Sequence, residues 1–275
     1  MRSLMLVVIL PALAGAQANN AASHLLTTWM GMLPIIIAAP HGGRQEIPGV
    51  PVRSGTGVSQ FITERDSNTA ELAETLASKV GDRLGARPFL VLAHFERKYV
   101  DANRPAAAAY ESAAAKPYYD AYHRALAEAS ERIRLQWGSG LLLDIHGQGA
   151  VADTIFRGTN NGKSVAALRQ RFGAEAVSGP KSILAQMSLK GYKIAPAGVG
   201  DGRERRYTGG YTTQTYGSHR GTRIDAIQLE FGTDLRARAN LDRTASDLAQ
   251  AIEIFAKEYL PLAKLIETDA PAAHP

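Results

Sequence analysis

The sequence predicts a single α/β domain with a mixed, mostly parallel sheet flanked by helices. Short apolar runs alternate along the chain with longer segments in which apolar residues recur at helical spacing, which is the pattern of strands connected by helices. No internal repeat and no linker divides the 275 residues. A chain of this length can bury one large core.

Four short apolar runs predict strands. Each is rich in aliphatic residues and ends at a turn or a polar residue, as strands buried on both faces do. The predicted strands are residues 33–39, 89–93, 141–145 and 224–231.

Five segments predict amphipathic helices. The first places Leu72, Leu76 and Val80 on one face, and Asp66 is expected to cap its N-terminus. The others are residues 117–137, 165–172, 181–189 and 241–264. An alanine-rich connection is predicted at 106–115. A loop rich in Gly, Tyr and Thr is predicted at 203–222, and a loop that long in a compact domain usually has a function or is mobile.

The first 18 residues have the pattern of a secretory signal peptide. Arg2 precedes an apolar segment of about eleven residues and an Ala16-Gln17-Ala18 cleavage site, and that segment is shorter than the roughly 20 residues that span a bilayer. We therefore expect a signal peptide at 1–18, one folded domain at 19–268 and a disordered tail at 269–275. The mature protein would be secreted or periplasmic, with no membrane attachment. An uncleaved anchor or a misassigned start is the alternative.

The composition excludes several classes of protein. The chain has no cysteine, which removes disulfides, thiol nucleophiles and cysteine-ligated metals. The net charge of +5 is modest and scattered, so no nucleic-acid partner is expected. The sequence contains neither a G-x-S-x-G nucleophile elbow nor a G-x-x-x-x-G-K-[ST] phosphate loop. Any metal must therefore be bound by imidazole and carboxylate groups.

Polar residues at predicted strand ends form a candidate metal site. His41 follows the first predicted strand and His146 the third, and each precedes a glycine. Ligands collect beyond the carboxyl ends of such strands. Asp66 or Glu46 would supply an oxygen ligand, leaving the open position that catalytic zinc sites keep. Asp144 shares a strand face with His146 and is expected to hold it. Alternatively, both histidines are structural and Asp66 only caps a helix.

Five strings in order closely resemble the N-formylglutamate amidohydrolase family. They are LPIIIAAPHGG, RDSNTAELA, ERKYVDANRP, LLLDIHG and IQLEFGTDLR, which together span roughly residues 33–236. The family is related in fold to zinc carboxypeptidases and aspartoacylase-type deacylases, and it is similar to phage poly-γ-glutamate hydrolases. The resemblance implies a zinc-carboxypeptidase-like (phosphorylase/hydrolase-like) fold and one Zn²⁺ per chain.

The resemblance also implies the metal ligands, which would be His41, Asp66 and His146. The carboxypeptidase relatives carry a Glu three residues after the first His, where this chain has Arg44. This departure excludes the simple H-x-x-E site. Because the poly-γ-glutamate hydrolases carry an acidic ligand at the start of the next helix, the resemblance favours Asp66 over Glu46.

Further residues acquire roles from the same resemblance. Glu230 would be the general base, taking a proton from water and returning it to the leaving amine. Arg97 would stabilise the oxyanion, although Glu96 replaces the family's Ser before it; an ion pair with Glu96 or Asp101 is the alternative. Asn103 and Arg104, in the string resembling D-x-N-R-P, would bind a substrate carboxylate.

Two further expectations concern the surroundings of this site. Asp101 is expected to orient Arg104. The glycine-rich loop is a candidate lid whose Tyr211 and Thr212 hydroxyls contact substrate, the alternative being an ordinary surface loop.

The predicted function is a secreted zinc-dependent amidohydrolase acting on an N-formyl-glutamate-like N-acyl amino acid. Its expected partner is a small carboxylate-bearing amide or peptide. Since N-formylglutamate breakdown is cytoplasmic, export favours two alternatives, a carboxypeptidase-like hydrolase or a poly-γ-glutamate hydrolase. A metal-free binding protein for acidic ligands is the alternative from a different class. The sequence makes no prediction of the oligomeric state.

Overall fold

The computed structural model of the protein describes residues 24–197 and 202–262. Within these ranges, seven strands form one sheet, and eight α-helices connect and cover them. The predicted signal peptide and the predicted tail lie outside the described residues. Within the described ranges, no helix is both long enough and apolar enough to cross a membrane.

The seven strands form one mixed sheet in the order β1-β3-β2-β4-β7-β5-β6. The strands are β1 (Leu26–Trp29), β2 (Ile35–Ala39), β3 (Phe89–Ala93), β4 (Gly140–Gly147), β5 (Thr154–Gly158), β6 (Lys193–Ala195) and β7 (Ile224–Phe231). Pairs β3/β2, β2/β4, β4/β7 and β5/β6 are parallel, whereas β1/β3 and β7/β5 are antiparallel. The predicted class, a single α/β domain with a mixed, mostly parallel sheet, is confirmed.

The helices vary widely in length. They are α1 (Thr69–Leu84), α2 (Ala106–Ala109), α3 (Lys116–Trp137), α4 (Ala166–Phe172), α5 (Glu175–Ser178), α6 (Ile183–Leu189), α7 (Tyr211–Tyr216) and α8 (Arg238–Tyr259). Short helices α2 and α7 thus lie in two segments that the sequence predicts as irregular.

Helices cover both faces of the sheet and create two cores. In β2, Ile35 and Ile37 belong to the core that α1 and α8 share, whereas Ile36 and Ala38 belong to the core that contains α3. All five residues of β2 are buried, which explains their continuous apolar run, because neither face of the strand meets water.

Three strands were not predicted from the sequence. Strands β1 and β6 are the edges of the sheet, have only four and three residues, and are largely half-exposed. Such short edges lack the apolar run that marks a buried strand. Strand β5 includes Arg157 and the half-exposed Phe156, so it too lacks a continuous apolar pattern.

Candidate metal centre

The candidate site lies beyond the carboxyl ends of three adjacent parallel strands. β4 is hydrogen-bonded to β2 on one side and to β7 on the other. His41 lies two residues beyond β2, while His146 and Glu230 lie near the ends of β4 and β7 and are register partners. The topology therefore brings together residues that are far apart in sequence, at the edge where ligands of α/β sheets collect.

Asp66 lies between the two histidines. Its Oδ2 is 3.1 Å from Nδ1 of His146 and 3.5 Å from Nδ1 of His41. One candidate ligand atom from each of the three residues lies within 4.8 Å of the others, and all three residues are buried. Glu46, the competing ligand, is exposed and does not belong to this cluster. The geometry thus favours Asp66.

The second nitrogen of each imidazole is held by another carboxylate. Nε2 of His41 lies 2.7 Å from Oδ1 of Asp101, and Nε2 of His146 lies 3.0 Å from Oδ2 of Asp144. A carboxylate on Nε2 favours the tautomer whose Nδ1 lone pair is free to bind a metal. Nδ1 of His41 is buried and has no hydrogen-bond partner among residues 24–197 and 202–262. This orphaned atom and the N, N, O donor set fit a metal ion.

The start of α1 positions Asp66 without using its carboxylate as a cap. The backbone N–H of Asp66 donates to the carbonyl of His41, and its own carbonyl accepts from Thr69. Helix α1 begins at Thr69 with Asn68 at its N-cap in the left-handed conformation. The prediction that Asp66 caps this helix is therefore wrong. Its carboxylate instead faces the histidines and accepts from the backbone N–H of Gly147.

Two buried acids near the histidines, Asp66 and Asp101, are held in the charged form. Burial opposes ionisation of Asp66, but the adjacent imidazoles of His146 and His41 outweigh it and hold its pKa well below the usual range. Burial likewise opposes ionisation of Asp101, and His41 and Arg97 hold the pKa of that carboxyl well below its usual range. The centre therefore presents negative charge to a cation.

Arg97 lies beside this centre. Its Nε donates to Oδ2 of Asp101 at 2.9 Å, and its Nη1 is 3.8 Å from Oδ1 of Asp66. Glu96 pairs with Lys98 instead. Arg97 therefore forms the alternative ion pair with Asp101, and that pair is buried. The Asp101 side chain contacts His41, Arg97 and the Asn103 backbone. The backbone carbonyl of Asp101 accepts from the N–H of Arg104, so the orientation of Arg104 by Asp101 stays a prediction.

The centre opens into a cleft of about 850 Å³. Five arginines line it, namely Arg65, Arg97, Arg104, Arg206 and Arg236, together with the acids Glu64, Asp66 and Glu230. The guanidinium of Arg104 donates to the backbone carbonyls of Asn103 and Gln60 and, among the described residues, has no carboxylate partner. Nη1 of Arg65 is buried without a hydrogen-bond partner. The cleft thus favours an anionic ligand.

Tyr211 and Thr212 are not among the residues that line the cleft. The Tyr211 ring packs against His123, and the Thr212 side chain is fully buried. The geometry therefore does not support the expected contacts of the Tyr211 and Thr212 hydroxyls with substrate. The backbone N–H of Thr212 instead donates to Oδ1 of Asn103, whose Nδ2 lies 3.1 Å from Nε2 of His146. Asn103 reaches the cleft wall, and its Oδ1 is engaged within the protein.

The residues of the glycine-rich segment that do line the cleft are 206–210, which we call the cleft loop. Its last residue, Gly210, donates its backbone N–H to the side chain of Gln228. A Cβ added at Gly210 would lie 2.2 Å from Nδ2 of Asn103, so this close approach requires glycine.

Glu230 is buried at the wall of the cleft, and burial raises its pKa. Its Oε1 accepts a hydrogen bond of 2.7 Å from Nε2 of Gln228. Gln228 has no role in the predictions from sequence, and Asp101 was predicted to act on Arg104 rather than on His41. The signal for Gln228 is its position two residues before Glu230 on one strand, which places both side chains on the same face.

Comparison with known families supports the resemblance seen in the sequence. The family model for N-formylglutamate amidohydrolase matches residues 107–237. The resemblance to the N-formylglutamate amidohydrolase family is confirmed. The match includes His146 and Glu230, whereas His41, Asp66 and Asp101 precede it. No curated protein sequence matches the chain.

Solved structures share the fold of this N-formylglutamate amidohydrolase-like chain. An N-formylglutamate amidohydrolase from Ralstonia eutropha JMP134 is 16% identical with a TM-score of 0.59, and the alignment covers 85% of this chain and 98% of that one. A gene product of Agrobacterium tumefaciens is 15% identical with a TM-score of 0.55, covering 86% of this chain and 94% of that one. At such identities the likeness concerns the fold alone.

Proposed function

We propose that this protein is a zinc-dependent amidohydrolase that cleaves the amide bond of an N-acyl amino acid bearing a carboxylate. One observation carries the proposal. The buried cluster of His41, Asp66 and His146 shares a cleft with Glu230, in a chain that matches the N-formylglutamate amidohydrolase family.

His41 and His146, through their Nδ1 atoms, and Asp66, through Oδ2, would hold the ion. Two neutral imidazoles and one carboxylate are a ligand set of catalytic zinc sites. When bound, zinc would polarise the scissile carbonyl and make water acidic enough to react near neutral pH. Asp101 and Asp144, which contact Nε2 of the two imidazoles, would keep Nδ1 of each ring available to the ion.

Glu230 would take the proton from the attacking water and return it to the leaving amine. A general base works best when its pKa is near the working pH, and burial raises the pKa of Glu230 in that direction. The Arg97 guanidinium, close to Asp66, would stabilise the negative charge that develops on the carbonyl oxygen.

The Arg104 guanidinium would bind the substrate carboxylate. Its donors reach only backbone carbonyls among the described residues, and a guanidinium fork matches a carboxylate in geometry. Arg65 and Arg206 also line the cleft, and neither has a carboxylate partner within the described part of the chain. The surplus of positive charge supports an acidic substrate.

The test combines metal analysis with an assay on N-formyl-L-glutamate. We expect about one zinc per chain and release of glutamate that a chelator abolishes and added zinc restores. Glu230→Gln should lower kcat by ~10²–10⁴-fold while zinc content stays at the wild-type level. Wild-type turnover by Glu230→Gln would refute its role as base. Absence of zinc even after reconstitution would refute the hydrolase and leave a metal-free binding protein for acidic ligands.

A second candidate is hydrolysis of a larger acidic substrate, either a peptide C-terminus or a γ-glutamyl polymer. The size of the cleft and its several arginines favour it, because a formylated amino acid would fill only part of about 850 Å³. We also propose that the protein is exported, which supports this candidate since such polymers lie outside the cytoplasm. Assays on γ-glutamyl oligomers, and detection of the protein in periplasmic or culture fractions, test these points.

A further inference from the structure

Two side-chain amides connect residues 210–212, at the end of the cleft loop and the start of α7, to the candidate centre. Gly210 donates its backbone N–H to Oε1 of Gln228 at 2.6 Å, and Thr212 donates its backbone N–H to Oδ1 of Asn103 at 2.8 Å. The nitrogen of the first amide contacts Glu230, and the nitrogen of the second contacts His146. Each amide thus joins a backbone group of this segment to one residue of the site.

The contacts of Gln228 fix the orientation of its amide. A backbone N–H can only donate, so the atom that faces Gly210 must be the amide oxygen. The NH₂ group therefore faces Glu230 and donates to its Oε1 at 2.7 Å. Both side chains are buried, at 4% and 7% exposure, so water cannot easily replace either bond. Among the described residues, Oε2 of Glu230 has no hydrogen-bond partner.

We propose that Gln228 is the positioning residue of Glu230. Its amide nitrogen holds Oε1 of Glu230 by a hydrogen bond and leaves Oε2 as the oxygen available to the cleft. Its amide oxygen accepts from Gly210 and so connects the carboxylate to the cleft loop. This inference rests on the proposed function, in which Glu230 is the base. A donor on Oε1 also stabilises the ionised carboxylate, which is the form that accepts a proton.

Two substitutions separate the two bonds of Gln228. Gln228→Met keeps the length of the side chain but loses both hydrogen bonds. Gln228→Glu keeps an acceptor for Gly210 but, when ionised, cannot donate to Glu230 and places a second negative charge beside it. Gln214→Met is the matched control, because the exposed Gln214 amide donates to the carbonyl of Gly209 in the same loop without contacting Glu230.

The first readout is the pH at which the ¹³Cδ signal of Glu230 titrates in the zinc-loaded protein, assigned by its absence from Glu230→Gln. Loss of the donor should raise that pKa by roughly one unit in Gln228→Met, and the added charge should raise it further in Gln228→Glu. Gln214→Met should titrate as wild type. This readout does not depend on which substrate the enzyme uses.

The second readout is steady-state kinetics on N-formyl-L-glutamate. Both Gln228 variants should lose ~10–100-fold in kcat with KM within about threefold and zinc content unchanged. Wild-type titration of Glu230 and wild-type kcat in both variants would overturn the inference, as would loss of zinc in parallel with activity. Full activity of Glu230→Gln would instead refute the proposed role of Glu230 as general base. The proposed function would then fail independently of the result for Gln228.

Discussion

Nε2 of His41 lies 2.7 Å from Oδ1 of Asp101, and both side chains are 1% exposed. The contact fixes the imidazole so that its other nitrogen faces Asp66. The second oxygen of Asp101 accepts from Nε of Arg97. One buried carboxylate therefore orients both a proposed metal ligand and the proposed oxyanion-stabilising residue.

Asp101→Asn is expected to weaken zinc binding. An amide in place of the carboxylate makes His41 a poorer ligand, and such substitutions typically cost ~10–100-fold in metal affinity. The zinc Kd can be measured by competition with a chromophoric chelator. Asp120→Asn, which alters an exposed ion pair with Lys116, is the control. An unchanged Kd in Asp101→Asn would contradict the role given to this contact.

The identity of the oxygen ligand can be tested with a pair of variants. Asp66→Asn should reduce bound zinc from about one equivalent to near zero, because a neutral amide is a poor zinc ligand and leaves two imidazoles alone. Glu46→Gln should keep full zinc, since Glu46 is exposed and outside the cluster. Elemental analysis after dialysis decides between them. The opposite result would assign Glu46 as the ligand.

Arg104→Lys should raise KM for a carboxylate-bearing substrate while kcat changes less. Lysine keeps the charge but loses the bidentate fork, and a hydrogen bond to a charged group contributes ~1.5–3 kcal/mol, or about 10–100-fold in KM. Replacing the substrate carboxylate with a primary amide should remove most of the difference between wild type and variant. If the variant discriminates against the amide as strongly as wild type does, the carboxylate binds elsewhere.

Stability should fall as pH decreases from about 6.5 towards 4 because of His123. Burial lowers the pKa of His123 from 6.5 to about 4, so the unfolded chain takes up a proton before the folded one does. The stability contributed by the neutral form is complete above pH 6.5 and is lost through this range. For a shift of this size the loss is about 3 kcal/mol.

Urea unfolding at pH 7 and pH 4.5, with chelator present, measures this loss. His123→Gln should show a pH-dependent loss smaller by about 2–3 kcal/mol than wild type. The control His24→Gln, at an exposed position, should retain the wild-type dependence. Equal pH dependence in His123→Gln and wild type would refute the assignment.

Gly42→Ala should destabilise the protein, because a Cβ there would lie 2.3 Å from the backbone nitrogen of Ala70 at the start of α1. Overpacking of this kind costs ~1–3 kcal/mol. The movement it forces should also weaken zinc binding, since α1 begins three residues after Asp66. Gly149→Ala, with no atom within 4 Å of the added Cβ, serves as the control for stability, which denaturant unfolding reports.

The sequence predicts the central strands of the sheet better than its edge strands. Strands β3 and β7 were predicted with their observed bounds because both are buried throughout, and burial on both faces leaves an unbroken apolar run. The edge strands β1 and β6 were not predicted, because they are strands through hydrogen bonds to a neighbouring strand and carry no local sequence pattern of their own. Their pairing partners are distant in sequence, so a short stretch of neighbouring residues does not contain them.

The same division applies to the candidate site. His41 and His146 were identified because each lies at the end of a recognisable strand, and Glu230 was identified through the family resemblance. The parallel topology brings the ends of their three strands together. Asp101 contacts His41 across 60 residues of sequence, and its neighbour Arg104 offered a nearer partner. Only the folded geometry shows that its carboxylate faces the imidazole.

The register of β4 and β7 places His146 opposite Glu230. Because side chains alternate along a strand, inserting or deleting one residue within either strand would turn one member of this pair towards the opposite helix layer. The proposed ligand and the proposed base therefore depend on one register: the connections between these strands can change in length without moving the pair, but a change of length within either strand separates the two side chains.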